Sequence, residues 1–130
     1  MRLDAVIPTL MMAGAVSGCE ADKAGQPFEP EYYRVETDLL DTDLVNLHVA
    51  MNGARGSDDV TRFADCAAAK YTLIRGYGFA RHVRTNIIDQ AGIWRADAVY
   101  TISRDLPRGL ETIDAEVVAA ECAENGIPMV

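Results

Sequence analysis

The fold is decided by the stretch SDDVTRFADCAAAKYTLIR, residues 57–75. Ser57 or Asp58 can serve as the N-cap, acidic residues occupy the first turn, and Gly76 follows the last one. Apolar side chains recur at helical spacing on one face: Val60, Phe63, Ala64, Ala67, Tyr71 and Ile74. The pattern predicts one long helix that buries this face, with small alanines that permit a close approach to a sheet.

The segments after this helix alternate with a period of two, which is typical of strands. Residues 77–88 and 93–103 are predicted to form a β-hairpin joined at residues 89–92. In the second arm one face carries Trp94, Ala96, Ala98, Tyr100 and Ile102, and the other carries Arg95, Asp97, Val99 and Thr101. In the first arm the same alternation puts His82 and Arg84 on one face. Such alternation specifies the register of the hairpin.

The regions on either side of this core complete the predicted architecture. Residues 32–37 suit a first strand, and residues 44–51 suit a strand with one buried face that ends at Asn52-Gly53. Residues 112–118 suit either a strand or a helix, and we favour a strand that passes near Val118 into a short helix carrying Cys122. The prediction is an α+β fold: a small antiparallel or mixed sheet, one long helix packed on one face, and a short C-terminal helix.

The N-terminal residues have the pattern expected of a targeting signal. Residues 5–16 are apolar but number only twelve, against the roughly 20 needed to cross a bilayer as a helix. They end in Val16-Ser17-Gly18-Cys19, which resembles the lipobox of bacterial envelope lipoproteins of a small uncharacterised type. The resemblance implies a signal peptide over residues 1–18, removal of that leader, and a lipid on Cys19. Residues 19–31 are then the lipidated cysteine and a flexible tether, and residues 32–130 form a single α+β domain.

The resemblance also implies a location. The domain is expected in the cell envelope, held by its lipid and facing the periplasm. Glu20, rather than aspartate, follows Cys19, which favours the outer over the inner membrane. The remaining cysteines, Cys66 and Cys122, then form an even pair. In an oxidising periplasm we expect them to form a disulfide worth about 4 kcal/mol in the chain-entropy model, the alternative being two buried thiols. Their spacing does not suit a metal site.

A group of basic residues is the candidate binding site. Six arginines lie between Arg75 and Arg108, against three aspartates, although the whole chain has a net charge of −8. The selected residues are Arg75, Arg81, His82, Arg84 and Arg95. Arginine forks suit phosphates and carboxylates, so the predicted partners are an envelope protein, a lipid headgroup or an acidic glycan. The alternative is a face on which these arginines pair with carboxylates of the same domain.

No motif of an enzyme, a metal site or a cofactor site is present, so we predict no catalytic residues, no metal and no cofactor. The acidic net charge also disfavours nucleic acid as a partner. The first hypothesis is a membrane-anchored lipoprotein that acts as a non-enzymatic binding or assembly accessory. One alternative is a periplasmic hydrolase or metal-dependent enzyme that uses His48, His82 and Asp97. A second alternative is an envelope redox sensor that uses Cys66 and Cys122.

Overall fold

The computed structural model describes residues 27–109 and 111–129, so the predicted leader and Cys19 lie outside the described residues. Within those residues the chain forms six strands and two helices. In order they are β1 (Glu31–Tyr32), β2 (Glu36–Asp41), β3 (Leu44–Asn52), α1 (Ser57–Ile74), β4 (Phe79–Gln90), β5 (Ile93–Ser103), β6 (Thr112–Asp114) and α2 (Ala115–Glu124). The predicted α+β class is confirmed.

All strands belong to one sheet. Its order is β1-β3-β5-β4-β6, β2 also pairs with β3, and every pair is antiparallel. β1 and β2 run beside successive parts of β3, so the strand predicted over residues 32–37 is interrupted between Tyr32 and Glu36. The segment from β3 through α1 to β4 crosses over β5, which lies between those two strands.

The predicted hairpin is present as β4 and β5. Its turn is Ala91-Gly92, and both residues have positive φ angles, 55° and 87°. Two consecutive residues with positive φ form a tight hairpin turn whose backbone twist matches that of the flanking strands. The sequence pattern did not predict one feature: the register of β4 against β5 shifts between His82 and Arg84, which is a β-bulge.

Buried side chains from the sheet and from α1 form a single hydrophobic cluster. The members from β3 are Val45, Leu47, Val49 and Met51; those from α1 include Val60, Phe63, Ala64 and Ala67; those from β4 and β5 are Ala80, Ala96, Ala98, Tyr100 and Ile102. The ring of Tyr32 meets that of Phe63 edge-on at 4.8 Å. We call the side of the sheet that carries these strand residues the core face.

The ends of α1 differ from the prediction. Gly56 precedes the helix and no side chain caps its N-terminus, so neither Ser57 nor Asp58 is the N-cap. Asp59 instead accepts from the backbone N–H of Arg55 at 2.8 Å and from its guanidinium. Ile74 was predicted to be buried but is 60% exposed, because it is the last residue of the helix, where the chain turns towards β4.

The C-terminal region is a very short strand followed by a helix. β6 has three residues and α2 begins at Ala115, so the helix starts before Val118, where it was predicted to start. Asp114 explains the early start, because its side chain accepts a hydrogen bond from the N–H of Val117 and caps the helix. α2 carries Cys122, which forms the predicted disulfide with Cys66 of α1 across a Cα–Cα distance of 6.0 Å.

Candidate functional site

The side of the sheet opposite the core face carries mainly polar and charged side chains, and we call it the outer face. Its members include Asn46 and His48 of β3, Arg81, Arg84, Asn86 and Ile88 of β4, and Arg95, Asp97, Val99 and Thr101 of β5. The register sets His48 and Asn86 directly opposite Asp97, one from each neighbouring strand. With Tyr33, Arg34, Glu36 and Asp38, part of this face lines a cleft of about 750 Å³.

Two contacts between a basic and an acidic side chain lie on the outer face. Nε2 of His48 is 3.0 Å from Oδ2 of Asp38, and Nη1 of Arg84 is 3.9 Å from Oδ1 of Asp97. Arg95 makes no ion pair with any described residue. The face therefore presents mixed charge, with at least one arginine available to an anionic group.

Two polar atoms on this face are enclosed by protein and have no hydrogen-bond partner in the described part of the chain. They are Oδ1 of Asn46 and Oδ1 of Asp97. An enclosed acceptor without a donor costs about 1–3 kcal/mol, and it is uncommon in folded proteins. Because both atoms are enclosed, a partner on the outer face does not reach them in this structure, and Nη1 of Arg84 lies 3.9 Å from Oδ1 of Asp97.

The structure brings three of the five predicted binding residues to the outer face. Arg84 and Arg95 are exposed there, and Arg81 lies opposite Thr101, with its guanidinium beside Gly109. Arg75 lies elsewhere, at the end of α1, where Nη1 donates to the hydroxyl of Tyr71 at 3.2 Å. The arginines of the predicted group are thus divided between two parts of the molecule.

His82 lies on the core face, opposite Tyr100, and not on the face of Arg84. The alternation in the sequence placed His82 and Arg84 together, but the bulge between them adds one residue and sends the two side chains to opposite faces. Nε2 of His82 is 2.5 Å from Oγ1 of Thr85, and its Nδ1 is 3.6 Å from Oε2 of Glu111.

A further polar contact lies beside His82. The hydroxyl of Tyr100 donates to Oδ1 of Asp65 at 2.6 Å, and the rings of Tyr100 and His82 are 5.5 Å apart. Burial raises the pKa of Asp65, and the bond from Tyr100 partly offsets the rise. Burial also raises the pKa of Tyr100. The sequence pattern did not single out Asp65. Its one distinguishing feature in the sequence is a carboxylate between Ala64 and Cys66, which are both buried.

The three residues of the enzyme hypothesis do not form one group. His48 faces Asp97 on the outer face, whereas His82 is on the core face and is not oriented by Asp97. Among the described residues, no set of three or more His, Cys, Asp or Glu side chains is arranged to hold a metal ion. Neither described helix is long and apolar enough to cross a membrane.

Comparison with known proteins gives a family but no solved fold. The family model of the YNQ4 C-terminal domain matches residues 32–126. A curated relative, described as an uncharacterized 26.9 kDa protein in the nqo8 5' region of Paracoccus denitrificans, is 31% identical over 85 residues. That alignment covers 65% of this chain and 33% of the relative, so the chain matches about a third of the relative's length. No solved structure matches the chain.

Proposed function

The chain belongs to the YNQ4 C-terminal domain family, and we propose that it is a lipid-anchored envelope protein whose outer face binds another envelope component without catalysing a reaction. In this proposal Cys19 carries the lipid and the predicted tether of residues 19–31 connects it to the domain, except that Glu31 of β1 already pairs with Asn52 of β3. The component is a protein, a lipid headgroup or an acidic glycan, each of which offers groups that pair with charged side chains.

One observation carries the binding proposal. The outer face exposes two arginines, Arg84 and Arg95, and Arg95 lines the cleft without an ion pair to any described residue. A partner whose anionic groups enter the cleft can pair with Arg95. Arginine suits this role because its planar fork makes two parallel hydrogen bonds to a carboxylate or phosphate.

Two features support the proposed compartment. The sequence Val16-Ser17-Gly18-Cys19 resembles a lipobox. The disulfide between Cys66 and Cys122 fits an oxidising compartment such as the periplasm, because thiols are kept reduced in the cytosol. Both cysteines are buried, which supports a structural bridge rather than the redox-sensing alternative.

The proposal includes the placement of α1 across the core face, which leaves the outer face available. This placement is supported by the hydrophobic cluster that contains Phe63 and Ala67 of α1 with Leu47 and Ala98 of the sheet. The contact between Tyr100 and Asp65 supports it as well, because it runs from β5 to α1.

The test separates binding from anchorage. Residues 1–19 are replaced by a leader that is cleaved without lipidation, and the released protein is fractionated with envelopes at low salt. We expect part of it to sediment with the envelopes. That fraction should fall at about 1 M salt, where the Debye length is about 3 Å. It should fall equally in the variant Arg84→Glu, Arg95→Glu.

The matched control makes the same change of charge away from the outer face, in the variant Arg62→Glu, Lys70→Glu, whose residues are exposed on α1. We expect this control to sediment like the parent protein. Full solubility of the parent at low salt, or an equal loss in the control, would contradict binding through the outer face.

A second candidate function rests on one contact. Nε2 of His48 is 3.0 Å from Asp38, and Asp97 lies opposite His48 in the same cleft. A histidine oriented by a carboxylate is the usual arrangement of a general base, so a hydrolase would use His48 without His82. His48→Gln should leave envelope sedimentation unchanged and abolish any hydrolysis that the protein performs.

A further inference from the structure

The outward edge of β4 is open over most of its length. β4 has 12 residues, but β6 pairs only with Phe79, Ala80 and Arg81, and the carbonyl of Glu111 accepts the next N–H, that of His82. Among the described residues, none pairs with this edge over residues 83–90. An open strand edge presents a row of unpaired backbone groups to which another strand can pair.

The bulge decides which residues present those groups. Before it, Gly78 accepts from Ala115 and His82 donates to Glu111, so alternate residues direct their backbone groups outward. The bulge between His82 and Arg84 shifts this alternation by one residue. Beyond it, Thr85, Ile87 and Asp89 therefore direct their N–H and C=O groups outward.

The composition of this edge permits self-pairing. Residues 83–90 contain no proline or glycine and one charge of each sign, Arg84 and Asp89, while Val83 and Ile88 are 50% and 53% exposed. The edge of β2 differs, because Glu36, Asp38 and Asp41 lie within its six residues. Acidic side chains in such density repel a second copy, which is how natural edge strands avoid pairing. β4 lacks that protection.

We propose that two copies of this chain pair antiparallel through their β4 edges, with the two-fold axis at Ile87. The register follows from the geometry of the strand. Opposed residues must lie on the same face of the sheet, and an axis at Ile87, the middle one of the three outward-directed residues, gives the largest number of backbone hydrogen bonds. Ile87 then opposes Ile87 of the second copy, and Thr85 opposes Asp89, which gives about six backbone hydrogen bonds.

The charges of the open edge permit a second copy as the occupant. In this register Arg84 opposes Gln90, and Asp89 opposes Thr85, so no like charges face each other across the interface. The interface is isologous, since the same edge is used by both copies. It joins two sheets into one and sets two outer faces side by side. A dimer with two outer faces would bind a surface that repeats the same envelope component more tightly than a monomer would. This gain in affinity does not depend on which component is bound.

Sedimentation velocity and amide exchange test the proposal on the full chain carrying Cys19→Ser, produced without lipid. We expect a monomer at low micromolar concentration and a dimer at high concentration. In the dimer, the amides of Thr85, Ile87 and Asp89 should exchange at least tenfold more slowly. The amides of Arg84, Asn86 and Ile88 are bonded to β5 in both states and should not change.

A pair of substitutions at one position provides the matched control. Thr85→Asp sets a carboxylate opposite Asp89 of the second copy and should raise the dimer Kd about fivefold, whereas Thr85→Lys should lower it about fivefold. Both variants change the contact with His82, so their folding stability is measured alongside the dimer Kd. A monomer at every concentration, a dimer with unchanged amides at Thr85, Ile87 and Asp89, or equal shifts in both variants would overturn the proposal.

Discussion

The hydroxyl of Tyr100 donates a 2.6 Å hydrogen bond to Oδ1 of Asp65, and this contact joins the middle of β5 to α1. Tyr100 is fully buried, and burial also raises the pKa of Asp65. A carboxylate in such surroundings is stabilised by the donor it retains. This hydrogen bond therefore links the folding stability of the domain to the protonation state of Asp65.

Tyr100→Phe should reduce the free energy of unfolding by about 1–3 kcal/mol at neutral pH, because it leaves the carboxylate of Asp65 without its donor. Urea denaturation measures the effect. Tyr33→Phe is the control, since the hydroxyl of Tyr33 makes no hydrogen bond with any described residue, and it should leave stability nearly unchanged. Equal losses of stability in Tyr100→Phe and Tyr33→Phe would mean that the hydrogen bond to Asp65 does not stabilise the fold.

The pH dependence of stability should reveal Asp65. Because its pKa in the folded protein is raised, protonated Asp65 favours folding, and this contribution is lost as pH rises through the folded pKa. The variant Asp65→Asn lacks that titration. We expect wild type to lose stability relative to Asp65→Asn as pH rises from about 4, the ordinary pKa of aspartate, to neutrality. If the denaturation midpoints of wild type and Asp65→Asn changed equally with pH, this would contradict the raised pKa of Asp65.

Removal of the disulfide should be costly. The bridge between Cys66 and Cys122 spans 56 positions in sequence, so the double variant Cys66→Ala, Cys122→Ala should lose about 4 kcal/mol in the chain-entropy model. Denaturation with and without reductant measures the loss. The folded protein should also resist mild reductant, since both cysteines are buried. Ready reduction without loss of structure would instead favour a redox sensor.

The two glycines between β3 and α1 should differ in their tolerance of a side chain. Gly53 has φ of +80°, and a Cβ there would lie 3.0 Å from the carbonyl oxygen of Glu29. Gly53→Ala should therefore cost at least the 1–2 kcal/mol of a left-handed residue. Gly56 has extended backbone and open space, so Gly56→Ala should be nearly neutral. Thermal unfolding distinguishes them, and similar losses would contradict the packing of the chain at Glu29.

The periodic spacing of apolar residues predicted the long elements, in which the pattern repeats several times. α1 and the β4–β5 hairpin follow from repeated apolar spacing, and the disulfide follows from cysteine count and inferred compartment. The bulge at His82 did not follow, because polar and apolar residues are mixed on both faces of β4, so the sequence does not show where the alternation shifts. The early start of α2 depended on a single capping side chain, that of Asp114, which competed with the β pattern of residues 113–117.

The candidate site was also predictable only in part, because several of its contacts join residues that are distant in sequence. Arg84 and Arg95 were placed together correctly because their strands are neighbours in sequence. The pairing of His48 with Asp97 needed β3 to lie beside β5, which local pattern does not specify. The contact of Asp65 with Tyr100 spans 35 positions in sequence and depends on how α1 crosses to β4.

Photocrosslinking in cells tests the central proposal, that the outer face binds an envelope component, most directly. A photoreactive residue replaces Arg84 on the outer face or, as a control, Val117, which is 53% exposed on α2. We predict a discrete adduct with a protein, lipid or glycan from position 84 and none from position 117, identified by mass spectrometry. No adduct from position 84, or equal adducts from both positions, would contradict binding through the outer face.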